Sequence, residues 1–280
     1  MEASTSRDTK LKHEGERLLD AGFTLVHPFF NERARFDLQF NNWLSWPEEI
    51  RRRVQIIIVD DCSPSPVHTW LTKSKLKRMR GLNLAIYRIT TDLAYNTPGA
   101  LNLAFTVAPS KFVLTMDSDC AFDAEQIQKV ADMTPLDTGV YKFDRNRIGS
   151  GEKSLNWKGE LREENLKNTR YLPCTMLMNQ NLFWQIGGFD EDYTGERSGG
   201  YGLFDSDFDR RLGRADIPWY KMKNIIATEW MPSVCDGEIA SRHPKAHEIG
   251  MNLYRLKNHF NENRKDEWLE QNREILRFQW

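Results

Sequence analysis

The chain reads as an α/β fold built on a mostly parallel sheet flanked by helices. Three observations say so. Short β-branched or apolar runs alternate with helical patterns through the first ~120 residues, which is the rhythm of a doubly wound sheet. Several of these runs, such as Val54–Val59 (VQIIIV), are apolar throughout, as in strands covered on both faces. Two of them end in acidic clusters, Asp60-Asp61 and Asp117-Ser118-Asp119, where ligands of such sheets bind.

Taken in order, residues 1–20 are charged and polar, a lead-in helix or loose tail. Phe23–Phe30 reads as a buried first strand ending near Pro28, with Asn31 as helix N-cap and helical spacing at Phe36, Phe40 and Trp43. After the Val54–Val59 strand come a turn cluster at Asp60–Pro64, a helix over Leu71–Met79 and a strand over Leu82–Ile89. Pro98 opens a helix reaching Val107, Phe112–Met116 forms a fourth strand, and Phe122–Met133 forms a further helix. A strand near Val140–Phe143 precedes a polar stretch, Asp144–Thr169. Residues 171–230 mix short strands with glycine-rich loops, and 244–280 reads as a charged helical tail. We therefore expect one domain over 21–243 between these two terminal segments.

Bulk properties narrow the function. The 280 residues carry a net charge of −1, with 39 basic and 40 acidic side chains. That balance gives no electrostatic reason to expect nucleic acid or an anionic membrane as partner. No run approaches the ~20 apolar residues of a transmembrane segment, and the N-terminus lacks a signal-peptide core. Cys62, Cys120, Cys174 and Cys235 lie far apart with no Cys-x-x-Cys pair, which suggests reduced thiols and a cytoplasmic location.

The acidic clusters carry the chemistry. Asp117 and Asp119, two apart at a strand end, can reach one crevice, and hard divalent ions take carboxylate and phosphate oxygens together. Turn capping is the plainer role for such residues. Asp60 or Asp61 can accept hydrogen bonds from a nucleoside, or cap the next helix.

In this order the two clusters make the chain resemble the family 2 glycosyltransferases of GT-A fold. Ile57-Ile-Val-Asp-Asp-Cys-Ser63 resembles that family's nucleotide-binding strand end, Asn96-Thr-Pro98-Gly-Ala-Leu-Asn102 its Gly…Ala…Asn helix start, and Asp117-Ser118-Asp119 its metal motif. Ile186-Gly-Gly188-Phe-Asp190-Glu191 resembles its acceptor-side loop. Tyr201-Gly-Leu-Phe-Asp205-Ser-Asp207 is similar to the Trp-Gly-Gly-Glu-Asp-Asp-Asp run of the β-1,4-galactosyltransferases, with Phe204 in place of the Glu and Leu203 in place of a Gly. The resemblance covers roughly residues 22–230.

It implies a metal-dependent, inverting transferase that moves a sugar from a nucleotide-sugar donor, UDP-sugar by preference, to a hydroxyl of a glycan or glycoconjugate acceptor. Asp205 would be the general base. The nucleotide would meet His27, Asp60, Asp61, Pro98, Asn102, Asp117 and Ser118. Asp117, Asp119 and His243, with His247 as substitute, would hold Mn²⁺ or Mg²⁺. Trp184, Gly188, Asp190 and Asp207 would line the acceptor or sugar side. Trp219 is a second candidate for stacking on a sugar, while Met176 and Met178 read as core. Two other functions compete. A nucleotidyltransferase shares the architecture but wants a Gly- and Lys/Arg-rich loop where Val26-His-Pro-Phe-Phe-Asn-Glu-Arg33 stands. A non-catalytic carbohydrate-binding protein would have lost Asp205 or the Asp-x-Asp pair, and both are present.

Overall fold

The computed structural model describes residues 22–79, 81–93, 95–148, 174–193, 203–230 and 275–278. Strand β1 (Phe23–Phe29) leads through helices α1 (Arg33–Ser45) and α2 (Glu48–Arg53) to β2 (Val54–Asp61). A 3₁₀ turn (Val67–Trp70) and α3 (Lys73–Arg78) lead to β3 (Asn83–Ile89), and α4 (Thr97–Val107) leads to β4 (Phe112–Thr115). Then follow β5 (Cys120–Ala121), α5 (Ala124–Ala131), β6 (Val140–Ile148), β7 (Met176–Asn179) and α6 (Gln180–Gln185). A 3₁₀ turn (Glu191–Tyr193), α7 (Phe204–Arg214), β8 (Trp219–Trp230) and β9 (Ile275–Phe278) complete the described elements.

The strands form one nine-stranded sheet, ordered β5-β8-β6-β7-β4-β1-β2-β3-β9. Pairing is parallel through β4-β1-β2-β3 and again between β6 and β8, and antiparallel at β7, β5 and β9. From β1 the chain adds β2 and β3 on one side, then crosses to place β4 on the other. That reversal leaves a crevice above the carboxyl ends of β1 and β4, the switch point of a doubly wound sheet.

Strand alternation explains the continuous apolar runs. Leu25, Ile56 and Ile58 face one core cluster with Phe36, Phe40 and Trp43 of α1, and Val26, Ile57 and Val59 face the other with Leu101, Ala104 and Phe105 of α4. Phe183 of α6 centres the second cluster. Its ring stacks on Phe105 at 3.6 Å and meets Phe189 at 5.3 Å and Phe208 of α7 at 5.5 Å.

Several boundaries differ from expectation. Asn31 is not the cap of α1. Its φ of 52° is left-handed and its N–H donates to the Ser63 hydroxyl at 2.9 Å, so it ties the first loop to the second. β2 runs two residues further, so Asp60 and Asp61 are strand residues. Within the expected helical tail, Ile275–Phe278 form a strand antiparallel to β3, because an edge strand supplies unpaired backbone groups that another segment can satisfy. The segment 1–20 and the remainder of 244–280 lie outside the described residues. Phe183→Ala should cost about 3–5 kcal/mol of stability through the cavity it leaves, read as a fall in the urea midpoint at unchanged slope.

Candidate active site

Alternation along β2 decides what Asp60 and Asp61 can do, since neighbours in a strand face opposite sides. Asp60 is fully buried on the α1 side. Its Oδ1 accepts the Ser63 N–H at 2.9 Å, its Oδ2 accepts the Val67 N–H at 3.0 Å, and Arg88 pairs with it. Both oxygens are spent on closing the loop between β2 and the 3₁₀ turn. Asp61 faces α4, where its Oδ2 accepts the Asn96 N–H at 3.1 Å. Its Oδ1 is buried with no hydrogen-bond partner. Burial pushes the Asp61 carboxyl up to about 7, helped by the charges of Asp60 and Asp92 and opposed by the Asn96 donors. A buried acceptor without a donor is an unmet demand that a ligand N–H or O–H can satisfy.

At the tip of β4, the Met116 N–H donates to the Val26 carbonyl at 3.0 Å, and the Cys120 N–H to the Asp117 carbonyl at 3.0 Å, closing a tight turn over Asp117-Ser118-Asp119. The start of α1 braces this turn. The Ser118 hydroxyl donates to Glu32, and the Gln39 amide donates to the Ser118 carbonyl at 3.1 Å and to the Cys120 carbonyl. Arg35 lies 3.4 Å from the Ser118 hydroxyl and 4.0 Å from Asp119 Oδ2. From the other side β5 pairs Cys120 with Glu229 of β8, whose carboxylate meets Arg145 at 3.2 Å.

Ligand atoms of Asp117, Asp119 and Cys120 all lie within 4.8 Å of one another. Burial raises the Asp117 carboxyl, and the negative charges of Asp119, Asp205, Glu229 and Glu32 raise it further. Burial also raises Asp119, although Arg35 and the Cys120 thiol pull it back. The Cys120 thiol is pushed well up by burial and by the same carboxylates, so it stays protonated. Two hard carboxylates crowded by further acidic groups, and only partly offset by Arg35 and Arg145, fit a hard divalent cation.

The third part comes from α7. Leu203 turns the chain with a left-handed φ of 72°, which places Asp205 in the first turn of the helix. The positive end of the helix dipole favours a carboxylate there. Burial nevertheless raises the Asp205 carboxyl; the Ser206 N–H at 2.7 Å opposes this and the Asp209 charge adds to it.

What holds α7 in place is a buried polar chain. Asp207, 2% exposed, pairs with Arg211 at 2.8 Å and Arg210 at 2.6 Å. Arg211 donates to the carbonyls of Ile186 at 2.6 Å and Gly188 at 2.7 Å. Asn102 of α4 grips the same loop, accepting the Phe189 N–H at 2.9 Å and donating to its carbonyl at 2.9 Å. At Gly188, φ is +65° and a Cβ would stand 2.9 Å from the Asn102 amide oxygen, so only glycine fits.

A family model, "Glycosyl transferase family 2", matches residues 24–197. The chain belongs to glycosyltransferase family 2. No curated protein sequence matches it. Among solved structures it is similar to residues 1–349 of S. aureus TarS in complex with UDP-GlcNAc, at 19% identity and a TM-score of 0.56, covering 89% of this chain and 70% of that one. It is also similar to the mannosyltransferase PcManGT of Pyrobaculum calidifontis in complex with GDP-Man and Mn²⁺, at 14% identity and a TM-score of 0.56, covering 94% and 76%. These likenesses agree with a GT-A fold, and no helix among the described residues is long and apolar enough to cross a membrane.

In this family 2 transferase the expected residues fall into two groups. Asp61, Asp117, Ser118 and Asp119 stand at the carboxyl ends of β2 and β4, and the Asp205 charge acts on Asp117. Asp60, Asn102, Gly188, Asp190 and Asp207 are engaged in the scaffold beneath them, Asp190 accepting the Asp192 N–H at 3.0 Å. Pro98 is buried in the first turn of α4. Trp184, 4% exposed, packs edge-on against Phe183 at 5.1 Å. His27 is fully buried 5.5 Å from the Trp43 ring; desolvation lowers it to about 3, so it is neutral. His243 and His247 lie outside the described residues, as do Tyr201 and Gly202. Sequence reasoning missed Glu32, Arg35, Gln39 and Glu229. The first three share one helical face, a spacing that could have been read; Glu229 carries no local signal.

Asp61 supplies a pH test. Its folded value near 7 exceeds that of an unfolded aspartate, about 3.9, so its ionisation opposes folding as pH rises between the two. Asp61→Asn should therefore gain stability over the wild type from pH 4 to 7, by up to about 4 kcal/mol, and the gain should level off above. Urea midpoints at several pH values read this difference.

Proposed function

We propose that the protein is a metal-dependent, inverting transferase that moves a sugar from a nucleotide-sugar, a UDP-sugar by preference, to an acceptor hydroxyl. The observation that carries this reading is the pairing of Asp117 and Asp119 at the tip of β4, with ligand atoms within 4.8 Å of each other, together with Asp205 of α7, whose charge raises Asp117. Family membership and the nucleotide-sugars held by TarS and PcManGT support it too.

In this reading Asp61 offers its unpartnered Oδ1 to a donor group of the nucleoside. Asp119 and Asp117 would hold Mn²⁺ or Mg²⁺, which would supply positive charge to neutralise the departing diphosphate. Glu32, Gln39 and Arg35 keep the turn that presents those carboxylates in shape. Asp205 accepts the proton of the acceptor hydroxyl as its oxygen bonds to the anomeric carbon and the bond to the diphosphate breaks on the opposite face. The rise in the Asp205 carboxyl strengthens it as a base. Inversion follows from this single displacement. Mn²⁺ and Mg²⁺ prefer oxygen ligands, so the fully buried Cys120 thiol would be the weaker partner for the cation.

Asp205→Asn should lose about 10²–10⁴-fold in transfer rate while UDP still raises the melting temperature in the presence of Mn²⁺. Equal transfer by this variant removes Asp205 from its role. Nucleotide release from UDP-GlcNAc and GDP-mannose should stop on adding EDTA and return with Mn²⁺; release that ignores EDTA rejects metal dependence.

A further inference from the structure

Two side-chain oxygens beside the carboxyl end of β2 are buried without a hydrogen-bond partner. One is Oδ1 of Asp61, the last residue of β2, and the other is Oδ1 of Asn96, which precedes α4. Asp61 is 6% and Asn96 4% exposed. They belong to one cluster. The Asn96 backbone N–H donates to Asp61 Oδ2 at 3.1 Å, and the Asn96 side chain adds a hydrogen bond to the same carboxylate. That bond takes the amide N–H, so the amide oxygen is the atom left over.

Asn96 does not spend this oxygen on the helix, since its side chain makes no capping hydrogen bond. The amide instead lies against Gly99 in the first turn of α4, where an added Cβ would stand 2.4 Å from Oδ1 and 2.9 Å from Cγ. Glycine in helical backbone is about 1 kcal/mol worse than alanine. What Gly99 supplies is room for the Asn96 amide. In the sheet, β1 alone separates the tips of β2 and β4. At the usual strand spacing that is about 10 Å, a span that a nucleoside bridges between its base and its diphosphate.

We propose that Asn96 reads the ribose: its amide oxygen accepts the 2′-hydroxyl while Asp61 Oδ1 accepts the base N–H, which restricts the donor to ribonucleotide-sugars. The inference rests on the nucleotide-sugar reading and names the class of nucleotide. Uracil offers one N–H donor between two carbonyl oxygens. Those carbonyls repel a second acceptor, so the second protein oxygen needs a different partner. The remaining donors of a uridine nucleotide are its ribose hydroxyls. Because Asn96 is hydrogen-bonded to Asp61, the hydroxyl nearest the base, the 2′, is the one within its reach. A deoxyribonucleotide would leave the buried Asn96 oxygen unmet, and sites built to hydrogen-bond a hydroxyl reject analogues that lack it.

The test is calorimetric titration of the full chain with UDP, 2′-deoxy-UDP, 3′-deoxy-UDP and GDP in the presence of Mn²⁺. 2′-Deoxy-UDP should bind about ten-fold more weakly than UDP, and 3′-deoxy-UDP as UDP does. In Asn96→Ala the ratio between UDP and 2′-deoxy-UDP should collapse to about one. A merely structural role would weaken both ligands alike and keep the ratio. Gly99→Ala should collapse it too, by displacing the amide while favouring the helix. Cooperative thermal unfolding above the titration temperature shows that both variants fold. Equal binding of UDP and 2′-deoxy-UDP by the wild type, or a ratio that Asn96→Ala leaves intact, overturns the proposal. GDP bound more tightly than UDP, with no effect of the 2′-hydroxyl, overturns it as well and assigns both oxygens to the adjacent N–H donors of guanine. If the wild type binds neither UDP nor GDP, the nucleotide-sugar reading fails and this inference with it. If it binds UDP without regard to the 2′-hydroxyl, this inference alone fails.

Discussion

Carboxylates crowded above the switch point are the constraint on which the rest of the site depends. β4 ends in Asp117-Ser118-Asp119, β8 brings Glu229, α1 brings Glu32 and α7 brings Asp205, and each raises the Asp117 carboxyl beyond what burial does. Desolvated like charges repel strongly, so the arrangement opposes folding unless something holds it or neutralises it. The scaffold does the holding. Ser118, Gln39 and Arg35 fix the turn, and Arg145 meets Glu229. In the proposed function a cation would complete the neutralisation that Arg35 and Arg145 begin.

Bringing Asp205 to the cluster is a matter of packing far from the chemistry. α7 is located by its own Asp207–Arg211 pair, which reaches the Gly188 loop, and that loop is gripped from the other side by Asn102 of α4. Because α4 is packed on β1 and β2, Asp205 and Asp61 are tied to one frame. A buried network of charge-assisted hydrogen bonds of this kind favours one arrangement over others.

Most of the sheet was legible because strands covered on both faces spell themselves out as apolar runs, as β2 does in Ile56-Ile57-Ile58-Val59. The acidic tips were legible for the same reason, since an Asp after such a run stands out. Which Asp does what was not. Asp60 and Asp61 are adjacent in sequence, and only the faces they take separate a loop-closing carboxylate from one with a vacant oxygen. The resemblance marked the loop at Gly188 as acceptor-side, and the structure adds what sequence did not show, a left-handed backbone angle and the close approach of Asn102. Glu229 belongs to the site through strand pairing with Cys120, a long-range contact that no local pattern announces. Ile275–Phe278 lay in a charged segment with helical spacing, and the open edge of β3 drew it into the sheet.

The most direct measurement is the anomalous scattering of manganese in crystals grown with Mn²⁺ and UDP. The account predicts one strong peak within coordination distance of the Asp119 carboxylate, bridged to the diphosphate and facing Asp205. A peak elsewhere, or nucleotide bound with no metal beside residues 117 and 119, would contradict it.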